Sequence, residues 1–227
     1  MAVKALTFDI IGTVFDWRGT FASRVTELNV RYGRNLDPVA FAEGAHRGYA
    51  SGVQAVRAGK VWKPPDEIHR ESILGLLGAE RAPDTGELDA FAGIWRELDP
   101  WPDARAAFDA LHEHLTLAIL SNVSVAVQTA LTAHSHLPFD RLLSAETVKA
   151  YKPSPAMYRL AIETLALEPG EIMMVAAHNY DLDAAKEHGF KTAYVASPGE
   201  CGAPNPAYDI NAGNFADLAR QLVSRNS

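Results

Sequence analysis

The stretch "FDIIGTVFDW", Phe8 to Trp17, ends an apolar run on a carboxylate, Asp9, and follows it with a Gly-Thr turn that carries Thr13. Three more polar groups stand at comparable places: Ser121 and Asn122 after "LTLAIL", Lys149 and Lys152 after "RLLSAE", and "HNYDLD" (178–183) after "EIMMVAA". Carboxylates, hydroxyls, an amide and an ammonium are what a crevice needs to hold and transform a small polar molecule. The position two after Asp9, where a second carboxylate would make a metal site, is the aliphatic Ile11. It offers no oxygen to a hard cation.

Each group alone has an ordinary use. Asp9 and Thr13 can tie down a turn, because short polar side chains bond nearby backbone donors. Ser121 and Asn122 resemble a cap for the helix that follows, Asp181 suits a helix N-terminus, and Lys152 before Pro153 resembles solvated surface. His178 fits a structural role as well. The argument for function is the conjunction, in which the same end of four successive strands carries Asp, Ser-Asn, Lys and Asp.

That conjunction needs a scaffold. Apolar runs at 3–8, 115–121, 141–146, 171–177 and 191–196 read as strands, and 102–114, 124–134, 154–167 and 181–190 read as helices. Strands alternating with helices predict an α/β, Rossmann-like core with a mainly parallel sheet, whose ligand crevice lies beyond the carboxyl ends of the strands. From Arg18 to Leu98 the rhythm breaks into helical segments without a convincing strand. We expect residues 1–17 and 99–227 to form the core and 18–98 an inserted helical cap.

Composition sets the outer limits. The 227 residues are 48% hydrophobic and 22% charged, which predicts a well-buried globular protein. A net charge of -7 disfavours nucleic acid and anionic membrane surfaces as partners. Cys201, the single cysteine, leaves no intrachain disulfide or cysteine metal cage and suits a reducing compartment. With neither a signal-peptide pattern nor a membrane-length apolar run, the expected location is the cytoplasm.

The ordered motifs "FDIIGTVFDW", "LAILSNVS", "VKAYKPSPAMY" and "VAAHNYDLDAA" resemble the haloacid dehalogenase superfamily, and more narrowly its type II 2-haloacid dehalogenases. The resemblance implies that Asp9 attacks C2 of a 2-haloalkanoate, expels halide and forms an aspartyl ester. Water then cleaves the ester with inversion at C2. It further implies that Lys152 pairs with Asp9, that Thr13, Ser121 and Asn122 donate hydrogen bonds to carboxylates or halide, and that Asp181 positions Lys152 or the water. Tyr158 matches a tyrosine that helps hold the site. Ile11 belongs to a desolvating pocket, while Ile10 and Trp17 suit either its wall or the core. No metal or cofactor is implied, and a homodimer is.

Two departures stand out. The superfamily's magnesium phosphatases carry a second Asp where Ile11 stands, so phosphate-ester hydrolysis loses its acid and metal ligand. Within type II enzymes a Ser-Ser-Asn triplet helps place water. Here it reads Ala176, Ala177, His178, and His178 is expected to bind or activate that water. In the cap, the arginine that clamps the substrate carboxylate is replaced by His46, with Arg47 one residue on, about 100° around a helix. We expect a local shift of the helix to bring Arg47 into the clamp, with His46 beside the pocket. A different electrophile, or a binding protein without turnover, is the alternative.

Overall fold

The structure, a computed structural model, describes residues 2–79, 81–200 and 203–226. Cys201 lies outside the described residues. The chain divides into two compact units, Met1–Phe15 with Pro100–Ser227, and Asp16–Asp99.

The first unit opens with β1 (Ala5–Phe8), leaves through β2 (Phe15–Asp16) and resumes after β3 (Asp99–Pro100). Its sheet is completed by β4 (Thr116–Ser121), β5 (Arg141–Ser144), β6 (Ile172–Ala176), β7 (Lys191–Val195) and β8 (Ile210–Ala212). The order is β5-β4-β1-β6-β7-β8, and every neighbouring pair is parallel. Central strands β1 and β6 are buried at every residue. That explains why they read as continuous apolar runs, as strands covered on both faces do. After β1 the chain builds outward through β4 and β5, then crosses to β6 on the other side of β1. The reversal at β1 opens the crevice just past its carboxyl end, where Asp9 stands.

Helices α5 (Ala104–His112), α6 (Val125–Ser135), α7 (Ala145–Val148), α8 (Pro155–Leu165), α9 (Asn179–Glu187) and α10 (Phe215–Asn226) connect and cover the strands. Phe8 of β1 packs on Phe108 of α5 at 4.6 Å between ring centroids, and Phe108 meets Phe215 of α10 at 5.4 Å. Truncating such a fully buried ring costs about 3–5 kcal/mol. The strand that ends at Asp9 is therefore firmly seated. Ser124 caps α6 by accepting from the Val127 N–H at 3.1 Å, so Ser121 and Asn122 are not its cap.

The second unit is built from α1 (Trp17–Tyr32), α2 (Pro38–Arg57), α3 (Pro65–Gly78) and α4 (Thr85–Gly93). Asp37 caps α2 and Pro38 occupies its first turn, a pairing that uses a residue with no N–H where none is needed. Gly44, Gly48 and Gly52, spaced by four, turn one bare face of α2 to α3. A Cβ there would lie 2.7, 2.1 and 2.3 Å from Leu76, Ser72 and Ile68. Arg34 is buried, donating to Glu87 at 2.6 Å and to the carbonyls of Leu77 and Arg81. Among the described residues no helix is long and apolar enough to cross a membrane.

Candidate active site

Asp9 is fixed from its backbone outward. Its N–H donates to the Val175 carbonyl of β6 at 3.0 Å, continuing the parallel ladder one residue beyond β1. The next residues turn sharply: the N–H groups of Val14 and Phe15 both reach the Ile10 carbonyl, and Gly12 takes φ +79°. That left-handed conformation suits glycine. The turn brings Thr13 back so that its hydroxyl donates to Asp9 Oδ2 at 3.0 Å while accepting from the Ala177 N–H at 3.0 Å. One hydroxyl thus joins the ends of β1 and β6.

Lys152 reaches the site from the loop after α7. The side-chain Oδ1 of Asn122, just past β4, accepts from the Lys152 backbone N–H at 2.7 Å and anchors that loop. The Lys152 ammonium, wholly buried, donates to Asp9 Oδ1 at 2.9 Å and to Asp181 Oδ2. Asp181, in the first turn of α9, accepts from the Tyr158 hydroxyl on Oδ1 at 2.8 Å. His178 closes the other side, with Nδ1 3.0 Å from Asp9 Oδ2 and Nε2 3.1 Å from Glu200 Oε2.

The charges set one another. Burial would raise the Asp9 carboxyl, but the Lys152 ammonium and His178 hold it well below the usual carboxylate range. Burial likewise opposes the Lys152 charge, and Asp181 and Asp9 together outweigh it and raise the ammonium. Asp181 goes the other way: burial, aided by the negative charge of Asp9, raises it despite Lys152. Burial disfavours a charged His178, yet its hydrogen bonds to Asp9 and Glu200 push it up to about 10. Three acidic side chains, Asp9, Asp181 and Glu200, thus surround two basic ones, Lys152 and His178.

Several expectations need correction. An imidazolium has no lone pair, so the His178 expected to activate water as a base is here a charged donor. Ile10 is fully buried with the core residues, while Ile11 is half-buried. Tyr158 is fully buried and spends its hydroxyl on Asp181. Asn122 shapes the Lys152 loop. Ser121, at the end of β4, is buried, and Lys149 is exposed.

In the helical unit, His46 is half-buried and stacks on Trp17 with ring centroids 4.3 Å apart and planes at 11°. Trp17 is itself buried in that stack. Helix α2 runs unbroken through both candidates and buries Ala45 and Tyr49, leaving Arg47 exposed. The expected local shift is absent.

Glu200, which faces His178, is the member of this cluster that the sequence motifs do not include. It follows β7 in "SPGE", a fifth strand end bearing a carboxylate after a Pro-Gly turn, so the signal was there to extend. The donor set does not suit Mg²⁺, because Asp9 and Asp181 both give oxygens to an ammonium and Ile11 has none. What remains is a buried, ionised carboxylate with one well-held oxygen and one that, among the described residues, only Lys152 holds.

Comparison with known proteins agrees with this architecture. An (S)-2-haloacid dehalogenase of Pseudomonas sp. (strain YL) is 38% identical over 203 residues, covering 85% of this chain and 82% of the relative. The crystal structure of the L-2-haloacid dehalogenase PA0810 superposes with a TM-score of 0.93 at 36% identity, covering 98% and 100% of the two chains. The L-2-haloacid dehalogenase from Xanthobacter autotrophicus, solved with chloropropionic acid covalently bound, gives 0.83 at 25% identity over 97% and 98%. The sequence model of the haloacid dehalogenase-like hydrolase family matches residues 3–189, and the chain belongs to that family.

Proposed function

We propose that this hydrolase removes halide from short 2-haloalkanoic acids without a metal, through an ester on Asp9. The observation that carries the reading is the unequal holding of the Asp9 oxygens. Oδ2 accepts from Thr13 and His178, whereas Oδ1, among the described residues, accepts only from Lys152 and keeps a lone pair for attack. Oδ1 forms a bond to C2 as the carbon–halogen bond breaks, and halide departs with the electron pair without needing a proton. The half-buried Ile11 limits hydration of the nucleophile.

Hydrolysis follows at the Asp9 carbonyl. Water adds to Cγ, the developing charge on Oδ2 meets the Thr13 hydroxyl and the His178 N–H, and the bond from Cγ to Oδ1 breaks. The 2-hydroxy acid leaves with Oδ1, which receives the proton that Asp181 takes from the water, and the water oxygen stays in Asp9. Asp181, raised by burial, is the nearby carboxylate best suited to take the water's proton. The names of the relatives and the covalent adduct in one of them support this reading. A cap role for the helical unit, a homodimer and a cytoplasmic location belong to the same proposal.

The test is halide release from 2-chloropropionate, 2-bromopropionate and fluoroacetate, with and without chelator, together with single turnover in ¹⁸O water. We expect release indifferent to chelator and label in Asp9. Magnesium-dependent phosphate release from esters in place of halide would overturn the reading, as would label appearing first in the product. Tight binding of a haloacid without turnover would make the protein a binder.

A further inference from the structure

We propose that Glu200 is a positioning residue that keeps His178 doubly protonated and aimed at Asp9 during the second half of the reaction, when Asp9 is an ester. The proposal rests on the ester mechanism above. In the free protein, two carboxylates face the two ring nitrogens at 3.0 and 3.1 Å. A neutral imidazole has only one N–H, so a single tautomer satisfies only one of them, and the imidazolium satisfies both. Alkylation of Asp9 removes the charge on one side. From then on Glu200 is the only one of the two still anionic, and it alone holds the proton that keeps Nδ1–H turned to the ester carbonyl.

The placement of Glu200 is built in from two directions. Its side chain is only 8% exposed, and it lies over Gly12 so closely that a Cβ there would stand 2.6 Å from Oε1. The turn that carries Asp9 and the loop after β7 are thus shaped to each other. Other groups near the ring are the Thr13 hydroxyl on the same Asp9 oxygen, Lys152 on the other, and the Tyr180 ring at 5.8 Å. Lys152 opposes a second cation. In the ester state a carboxylate behind the ring is what offsets that opposition.

Asp9→Asn serves as a neutral mimic of the ester for a measurement that needs no turnover. Titration of ¹⁵N-labelled histidine by NMR should show His178 of Asp9→Asn still protonated above its ordinary range. Adding Glu200→Gln should lower its titration by at least about one pH unit. An unchanged titration would overturn the proposal. In single turnovers with 2-chloropropionate, Glu200→Gln should slow ester hydrolysis at least about tenfold more than ester formation, with the adduct seen by intact mass. That excess should vanish in a His178→Asn background. If it persists there, Glu200 merely supports its loop and the proposal fails. A wild-type protein that releases no halide sinks the reaction reading, and the titration still decides the role of Glu200.

Discussion

Arg34 and Glu87 in the helical unit are as buried as Lys152 and Asp181 in the core unit, with side chains 1% exposed in the first pair and 0% in the second. The Arg34 guanidinium divides its donors between Glu87 and two backbone carbonyls, and Arg81 covers the second Glu87 oxygen at 2.9 Å. Cations outnumber the anion there. In the core unit the balance is reversed, with three acidic side chains around two basic ones. One carboxylate is pushed up while its neighbour is pushed down. Burial and pairing are common to both clusters, so they do not mark a reactive site. An excess of acidic groups and a carboxylate oxygen with acceptor capacity to spare do.

The comparison can be broken in four ways. Asp9→Asn should cut turnover by on the order of 10⁴-fold or more, since an amide is a poor nucleophile. Urea unfolding should show the fold retained, because Asp181 still pairs the Lys152 ammonium and Glu200 still faces the His178 ring. Loss of fold instead would make Asp9 a second Arg34-type support. Glu87→Ala should do the opposite, costing about 3–5 kcal/mol in urea unfolding by stranding a buried guanidinium. Turnover per folded molecule should change little.

His178 and Glu87 should also respond to opposite ends of the pH scale. The His178 pKa is raised in the folded protein to about 10 from an ordinary 6.5. Its stabilisation is therefore complete below about pH 6.5 and fades as pH rises towards 10. The hydrogen bond from Arg34 lowers the Glu87 pKa, so its stabilisation is present above the ordinary glutamate range and fades as pH falls. Unfolding of His178→Asn and Glu87→Gln against wild type across pH should give difference curves of opposite slope. Parallel curves would remove the distinction. The smallest effect belongs to Arg47→Ala, which should leave KM for 2-chloropropionate within about twofold, as for an exposed residue outside any network. A tenfold rise in KM would restore Arg47 as the clamp.

Much of the core site is legible because chemistry-bearing residues follow apolar runs, and a parallel sheet gathers the ends of those runs. Asp9, Thr13, Lys152 and Asp181 meet as such ends do. Glu200 is harder to see, because its contact with His178 depends on β7 lying beside β6, a neighbour relation that no local pattern encodes. Strand β8 escapes for a different reason: Ile210–Ala212 is three residues long and its middle residue is exposed, so no apolar run announces it. The charge of His178 is invisible in sequence. A histidine ring is base or acid according to its two neighbours, and one of those was Glu200.

The glycine face of α2 bears on how the helical unit comes apart. Each glycine disfavours an isolated helix by about 1 kcal/mol relative to alanine, and α2 carries three on the face turned to α3. Alone, α2 is a poor helix, and its backbone order is conditional on α3 lying against it. The two should therefore melt as one cooperative unit. Amides of Ala45–Val53 and Ile68–Leu77 would then exchange with deuterium at a shared opening free energy instead of fraying separately. Gly48→Ala, despite its better helix propensity, should accelerate exchange in both helices, since the added methyl stands 2.1 Å from Ser72 Oγ.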